Sequence, residues 1–174
     1  MDSSKELIII TGVSGAGKSS AMAFMEDAGY YCIDNMPPEL MSTFVSLLAN
    51  NSEYYPKVAM VVDIRSGYVF EKIIASIDSV EQYGYTCKIV YLDINDTEAL
   101  KRYKLTRRKH PFADKFNGNI QNALDYEREI LAPLRLKADH IIDTSNIDTH
   151  QLRARLTELL MGDAKEYMNI HCMS

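Results

Sequence analysis

The stretch Leu7-Ile8-Ile9-Ile10-Thr11-Gly12-Val13-Ser14-Gly15-Ala16-Gly17-Lys18-Ser19-Ser20 decides the fold. The apolar run Leu7 to Ile10 reads as a buried strand, and the spacing G-x-x-x-x-G-K-S from Gly12 to Ser19 reads as a loop that turns its backbone N–H groups inward around a phosphate. A polyphosphate carries several negative charges that must be met without steric crowding. Within the arc Gly12, Val13, Ser14, Gly15, Ala16 and Gly17, the last two glycines bring the backbone close in, and the helix beginning near Lys18 adds partial positive charge at its N-terminus. Lys18 is placed to bridge the β- and γ-phosphates, Ser19 to coordinate Mg²⁺ through its hydroxyl, and Ser20 to reach the α-phosphate.

Outward from this stretch, strand-like apolar segments alternate with stretches whose apolar residues recur at helical spacing, the pattern of a parallel sheet with crossover helices. The expected strands are Leu7–Ile10, Tyr30–Ile33, Val58–Val62, Lys88–Leu92 and His140–Ile142. This is an α/β fold with a five-stranded parallel sheet sandwiched by helices, expected in the order 2-3-1-4-5 because that order sets the strand ending at Val62 beside the phosphate-loop strand. Gly29 is expected to stop the first helix, and Pro37-Pro38 to open a second, with Leu40, Met41, Phe44, Val45, Leu47 and Leu48 on its apolar face. Val69 to Val80 marks a third. Asp96 or Thr97 can cap a fourth, Pro133 should break or kink a fifth that runs from Ile120 to Leu131, and Asp148 and Gly162 should bound the last.

Three strands end in an acid, which places Asp34, Asp63 and Asp93 on the sheet edge where α/β folds bind ligands. Asp63, after Val58–Val62, can hold the Mg²⁺ shell through water, the Walker B role; a strand-end aspartate capping a turn is the lesser alternative. Asp34 can orient a water or an acceptor beside the γ-phosphate, or shape the turn before Pro37. Asp93 reads as structural. After the fourth strand, Lys101, Arg102, Lys104, Arg107, Arg108 and Lys109 form a basic run, where nucleotide kinases carry a lid that closes over phosphates. Arg107 and Arg108 are the candidates, because a guanidinium suits phosphate better than an ammonium does; a solvated helix face is the alternative. His110-Pro111 reads as a turn. No N-K-x-D guanine signature and no S-G-G-Q-type transporter signature occurs. Between Asn35 and Lys57 there is no arginine and one lysine, Lys57, so a phosphorylated acceptor has no evident seat.

The composition sets the class. With 174 residues, 47% hydrophobic and 25% charged, the chain suits one globular domain, and a net charge of −5 argues against a uniformly basic nucleic-acid binder. No apolar run approaches the ~20 residues of a membrane helix. The first residues do not form a secretory signal, and Cys32, Cys87 and Cys172 form neither a C-x-x-C pair nor a metal-like cluster, so a cytoplasmic protein with reduced thiols is expected. Cys32 and Cys87 are expected in the core.

Ile8 to Leu40, the V-V-D-I-R-S of Val61 to Ser66, Tyr91 to Pro111 with its T-R-R-x-H-P, Glu127 to Asp139 and the I-I-D-T-S of Ile141 to Ser145 together resemble the N-terminal nucleotide-binding domain of the RapZ/YvcJ family of bacterial RNase adapter proteins. The resemblance runs over nearly the whole chain in the same order. It implies a P-loop kinase-like fold, binding of ATP and GTP with weak hydrolysis, and a regulatory role. It supports Gly12 to Ser19 as the ATP-binding loop and implies that Asp63, Ile64, Arg65 and Ser66 form a second nucleotide-binding motif. Family members continue into a C-terminal domain understood to bind RNA and an amino-sugar phosphate. Residues 1–161 are therefore expected to form the nucleotide-binding domain, with 162–174 a linker or the start of that further domain, and with RNA binding assigned beyond this chain. The reading is a regulatory domain that takes ATP or GTP with Mg²⁺, hydrolyses slowly and acts on a protein partner. A kinase for a small unphosphorylated metabolite and a non-hydrolysing interaction module are the alternatives.

Overall fold

The computed structural model describes residues 5–51, 53–62 and 69–171, with Val69 and residues 163–171 as backbone only. Its centre is β1 (Lys5–Gly12), which pairs in parallel with β3 (Lys57–Val62) on one side and β4 (Tyr85–Asp93) on the other. Leu7 to Ile10 are essentially without solvent exposure, as a strand covered on both faces requires. At ~1.5–3 kcal/mol for each large apolar side chain removed from water, this run is a major part of the core. β2 (Tyr31–Met36) pairs with β3 and β5 (His140–Asp143) with β4, giving the order β2-β3-β1-β4-β5. That is the order expected from setting the strand that ends at Val62 beside the phosphate-loop strand, and it gathers the strand C-termini at one edge.

The helices are α1 (Lys18–Asp27), α2 (Pro38–Asn50), α3 (Val69–Gln82), α4 (Asp96–Thr106), α5 (Ile120–Lys137) and α6 (Thr149–His171). α1 packs against α6, while α2, α3, α5 and α4 form a chain of contacts. Gly29, at φ 85°, ends α1 as its sequence position implies. Asp148 caps α6 reciprocally: its carboxylate accepts from the Gln151 N–H at 2.8 Å, and the Gln151 side-chain oxygen accepts from the Asp148 N–H at 2.9 Å.

Several local expectations are corrected. Asn95, not Asp96 or Thr97, caps α4 by accepting from the Glu98 N–H at 2.8 Å. α5 does not stop at Leu131 but continues through Pro133 to Lys137. Leu131 and Leu134, one on each side of the proline, are both buried, so packing offsets the lost backbone hydrogen bond. α6 passes through Gly162 instead of ending there. On α2 the buried face is Met41, Val45 and Leu48, and Leu40 and Leu47 are exposed. Cys32 and Cys87 sit at the core's margin rather than inside it; desolvation still pushes their thiols up to about 11 and about 12.

Candidate phosphate site

The loop between β1 and α1 is fixed first by the strand beside it. Gly12 lies at φ 135°, and a Cβ there would stand 2.0 Å from the Leu92 carbonyl oxygen of β4, so only glycine fits. The Val13 N–H donates to that same oxygen at 3.2 Å. Val13 and Ala16 are wholly buried and pin the loop from below, while Gly15 and Gly17 take the left-handed backbone that turns it. No described side chain caps α1, and its first turn holds no acid. Its leading N–H groups, which have no acceptor within the helix, therefore make an anion site of the loop.

Four side chains hold this arc from four directions. Lys18 Nζ donates to the Gly12 and Val13 carbonyls at 2.7 and 3.1 Å. Desolvation lowers its pKa, against the attraction of Glu127 and Asp34. From α4, Arg102 donates to the Gly15 carbonyl at 3.0 Å and to the Thr144 carbonyl at 2.8 Å. Beyond β5, the Thr144 hydroxyl donates to the Ala16 carbonyl at 2.9 Å. From α5, the fully buried Glu127 accepts from the Ser14 N–H at 3.0 Å and from the Ser14 hydroxyl at 2.5 Å. Its other neighbour is His110 Nε2, at 3.1 Å.

The histidine's tautomer follows from geometry. Its Nδ1 accepts from the Phe112 N–H at 3.1 Å, so the proton sits on Nε2 and points at Glu127. Desolvation alone would raise the Glu127 pKa, but His110, the Lys18 charge and Ser14 outweigh it and hold the carboxyl below its ordinary value. Tyr103 packs its ring on His110, with centroids 5.3 Å apart.

Of the residues singled out from the sequence, Gly12 to Ser20 form the loop and the start of α1, with the Ser19 side chain exposed at the open end. Asp34 stands exposed within β2, which runs on past it to Met36 instead of ending at Ile33; it is close enough for its charge to act on Lys18, and it accepts from the Asn35 N–H at 2.9 Å. Asp93 is turned away into ion pairs with Arg128 and Arg135, at 3.0 and 3.2 Å. Arg107 and Arg108 lie exposed past the end of α4, with no hydrogen-bonded or ion-paired partner among the described residues. Asp63, Ile64, Arg65 and Ser66 lie outside the described residues. Arg102 enters the sequence reading only as one of the basic run, and Glu127 and Thr144 only within segments that carry the resemblance, none with a role in the loop. A signal for Glu127 existed: Ala123, Leu124, Leu131 and Leu134 make the apolar stripe of α5, and Glu127 interrupts it.

A family model described as the RapZ-like N-terminal domain matches residues 5–164. The chain belongs to that family. A nucleotide-binding protein of Alkaliphilus oremlandii (strain OhILAs) is 44% identical to the RapZ-like domain over 154 residues, 88% of this chain and 52% of the relative. Another, from Finegoldia magna (strain ATCC 29328 / DSM 20472 / WAL 2508), is 44% identical over 151 residues, 87% of this chain and 52% of the relative. The chain thus spans about half the length of these relatives. Among solved structures, a gluconokinase from Sinorhizobium meliloti 1021 superposes with a TM-score of 0.60 at 19% identity, covering 98% of both chains. The YorR protein of Bacillus subtilis, solved in complex with phosphorylated GDP, gives 0.58 at 15% identity, covering 91% of this chain and 98% of that one. At these identities the likeness establishes a P-loop kinase type of fold for the RapZ-like domain. No helix among its described residues is long and apolar enough to cross a membrane.

Proposed function

We propose that this RapZ-like domain binds ATP or GTP with Mg²⁺ and hydrolyses it slowly, so that the bound nucleotide serves as a signal and not as a donor to a phosphorylated acceptor. The observation that carries this reading is the assembled loop, held by Lys18, Arg102, Thr144 and Glu127 while the amide end of α1 stays uncapped. Relatives at 44% identity that are named nucleotide-binding proteins support it. On this reading Lys18 exchanges its two loop carbonyls for phosphate oxygens, and Asp34 orients a water. Arg107 and Arg108 close over the phosphates. Ser19 and Asp63 would hold Mg²⁺, whose charge would offset that of the β- and γ-oxygens; the exposed hydroxyl of Ser19 at the head of α1 suits that role. Ile64, Arg65 and Ser66 would complete a second nucleotide-binding segment after β3.

Against a phosphorylated acceptor stands the composition of the chain after β2. From Asn35 to Lys57 the only cation is Lys57, which opens β3 at the end opposite the loop. Regulation of a protein partner within an RNase-adapter system, by a domain spanning 1–161 with 162–174 leading out of it, completes the proposal. A kinase acting on a small unphosphorylated metabolite is the second reading, favoured by the exposed Asp34 carboxylate of β2, whose charge acts on Lys18. Titration with ATP and GTP, with and without Mg²⁺, followed by a turnover assay tests both. Saturable Mg²⁺-dependent binding with turnover below ~1 s⁻¹ is expected, at the slow end of enzyme rates. Absence of binding overturns the proposal, and phosphate transfer in a metabolite screen replaces it with the kinase.

A further inference from the structure

We propose that Glu127 is a positioning residue for nucleotide binding, fixing the phosphate loop through Ser14 and tying it through His110 to the segment that carries Arg107 and Arg108. This rests on the nucleotide-binding reading above.

A carboxylate without solvent exposure costs several kcal/mol unless donors surround it. What the charge obtains here is three donors, the Ser14 N–H, the Ser14 hydroxyl and the Nε2–H of His110. Two of them belong to the loop. Fixing the Ser14 N–H fixes the peptide plane that also carries the Val13 carbonyl, and that carbonyl is one of the two Lys18 engages. One carboxylate thereby sets both the direction of the loop amides and the seat of the lysine. The third donor lies two residues after Arg108, so the same carboxylate joins the loop to the base of the basic segment.

The sign of the electrostatics separates positioning from direct attraction. Glu127 is negative and stands behind a loop that receives an anion, so its Coulombic effect on a nucleotide is repulsive. If charge alone mattered, Glu127→Gln would tighten binding. If positioning matters, Glu127→Gln weakens it: the carboxamide NH₂ can still donate to the Ser14 hydroxyl oxygen, but its uncharged oxygen holds the Ser14 and His110 N–H groups less firmly than a carboxylate does.

The experiment measures the Mg-ATP dissociation constant for the parent, Glu127→Gln, Ser14→Ala and the double variant, together with the Ser14 amide proton resonance of the nucleotide-free protein. Glu127→Gln is expected to bind about tenfold more weakly, the value of a charge-assisted hydrogen bond. The double variant should bind no more weakly than Glu127→Gln. The Ser14 amide resonance, downfield in the parent, should move upfield in Glu127→Gln. Equal or tighter binding by Glu127→Gln, strictly additive variants, or an unmoved amide resonance each overturn the proposal. Should Glu127→Gln not fold, Glu127→Asp decides: the shorter side chain keeps the charge but withdraws it from the Ser14 N–H, so several-fold weaker binding upholds the contact and unchanged binding overturns it. A parent that binds no nucleotide defeats the proposed function and this inference with it. A parent that binds, with Glu127→Gln equal to it, defeats this inference alone.

Discussion

Lys18 occupies two loop carbonyls, and its pKa is lowered chiefly by desolvation, so its hydrogen bonds and its buried charge pull stability in opposite directions. Lys18→Ala should therefore leave the nucleotide-free melting temperature within the 2–4 °C that ~1 kcal/mol represents for a chain of this size. It should nearly abolish the thermal shift given by ATP, which at a hundredfold excess over the dissociation constant is about 2.7 kcal/mol. An equal shift in variant and parent removes phosphate binding from this loop. Glu127 gives a second, pH-dependent outcome. Its folded pKa is depressed below the ordinary 4.5, so its contribution is complete above that pH and is lost as pH falls through the lower folded value. Thermal melting from pH 7 to pH 3 should show the parent losing stability more steeply than Glu127→Gln below pH 4.5, with the two curves parallel above it. Matching acid limbs would mean that the buried carboxylate carries no charge-dependent stability.

At the scale of elements, α4 is divided between two tasks. Its Arg102 reaches the loop, whereas Arg107, in left-handed backbone at φ 51° just past its end, and Arg108 project outward. Changing both Arg107 and Arg108 to Ala should reduce hydrolysis more than nucleotide affinity, since contacts to the γ-phosphate strengthen as charge develops in the transition state. If the pair grips RNA instead, turnover stays intact and the salt slope of RNA binding falls by about 1.4–1.8. Unchanged turnover with that smaller slope reverses the assignment. The elements themselves were legible in the sequence, because each strand is a short apolar run followed by helical periodicity, and Leu7–Ile10 could be nothing but a strand buried on both faces. Element ends were less so. Asn95 outcompetes Asp96 as a cap by one residue, and Pro133 lies inside a helix because Leu131 and Leu134 hold both sides of it. Only the fold's packing decides such cases.

For the molecule as a whole, the alternation gave the parallel sheet, and setting the strand that ends at Val62 beside the phosphate-loop strand gave its order, and with it the gathering of Gly12, Asp34 and Asp93 toward one sheet edge. The loop itself was legible because its glycine spacing is local. The groups that hold it were not, because Glu127 and Thr144 reach it across 113 and 128 residues of chain. A single charged residue in an apolar stripe announces burial but does not name its partner. These separations also set a timetable. A ribosome adding ~5–20 residues per second needs on the order of ten seconds between making Ser14 and making Glu127, and longer still before Thr144 emerges. Through that interval the nascent chain carries the glycines, Lys18 and Ser19 in full and gains the Leu92 carbonyl and Arg102 on the way, yet it lacks Glu127 and Thr144. The fully braced loop is thus among the last features the order of synthesis allows to form, well after the glycines that give it its shape.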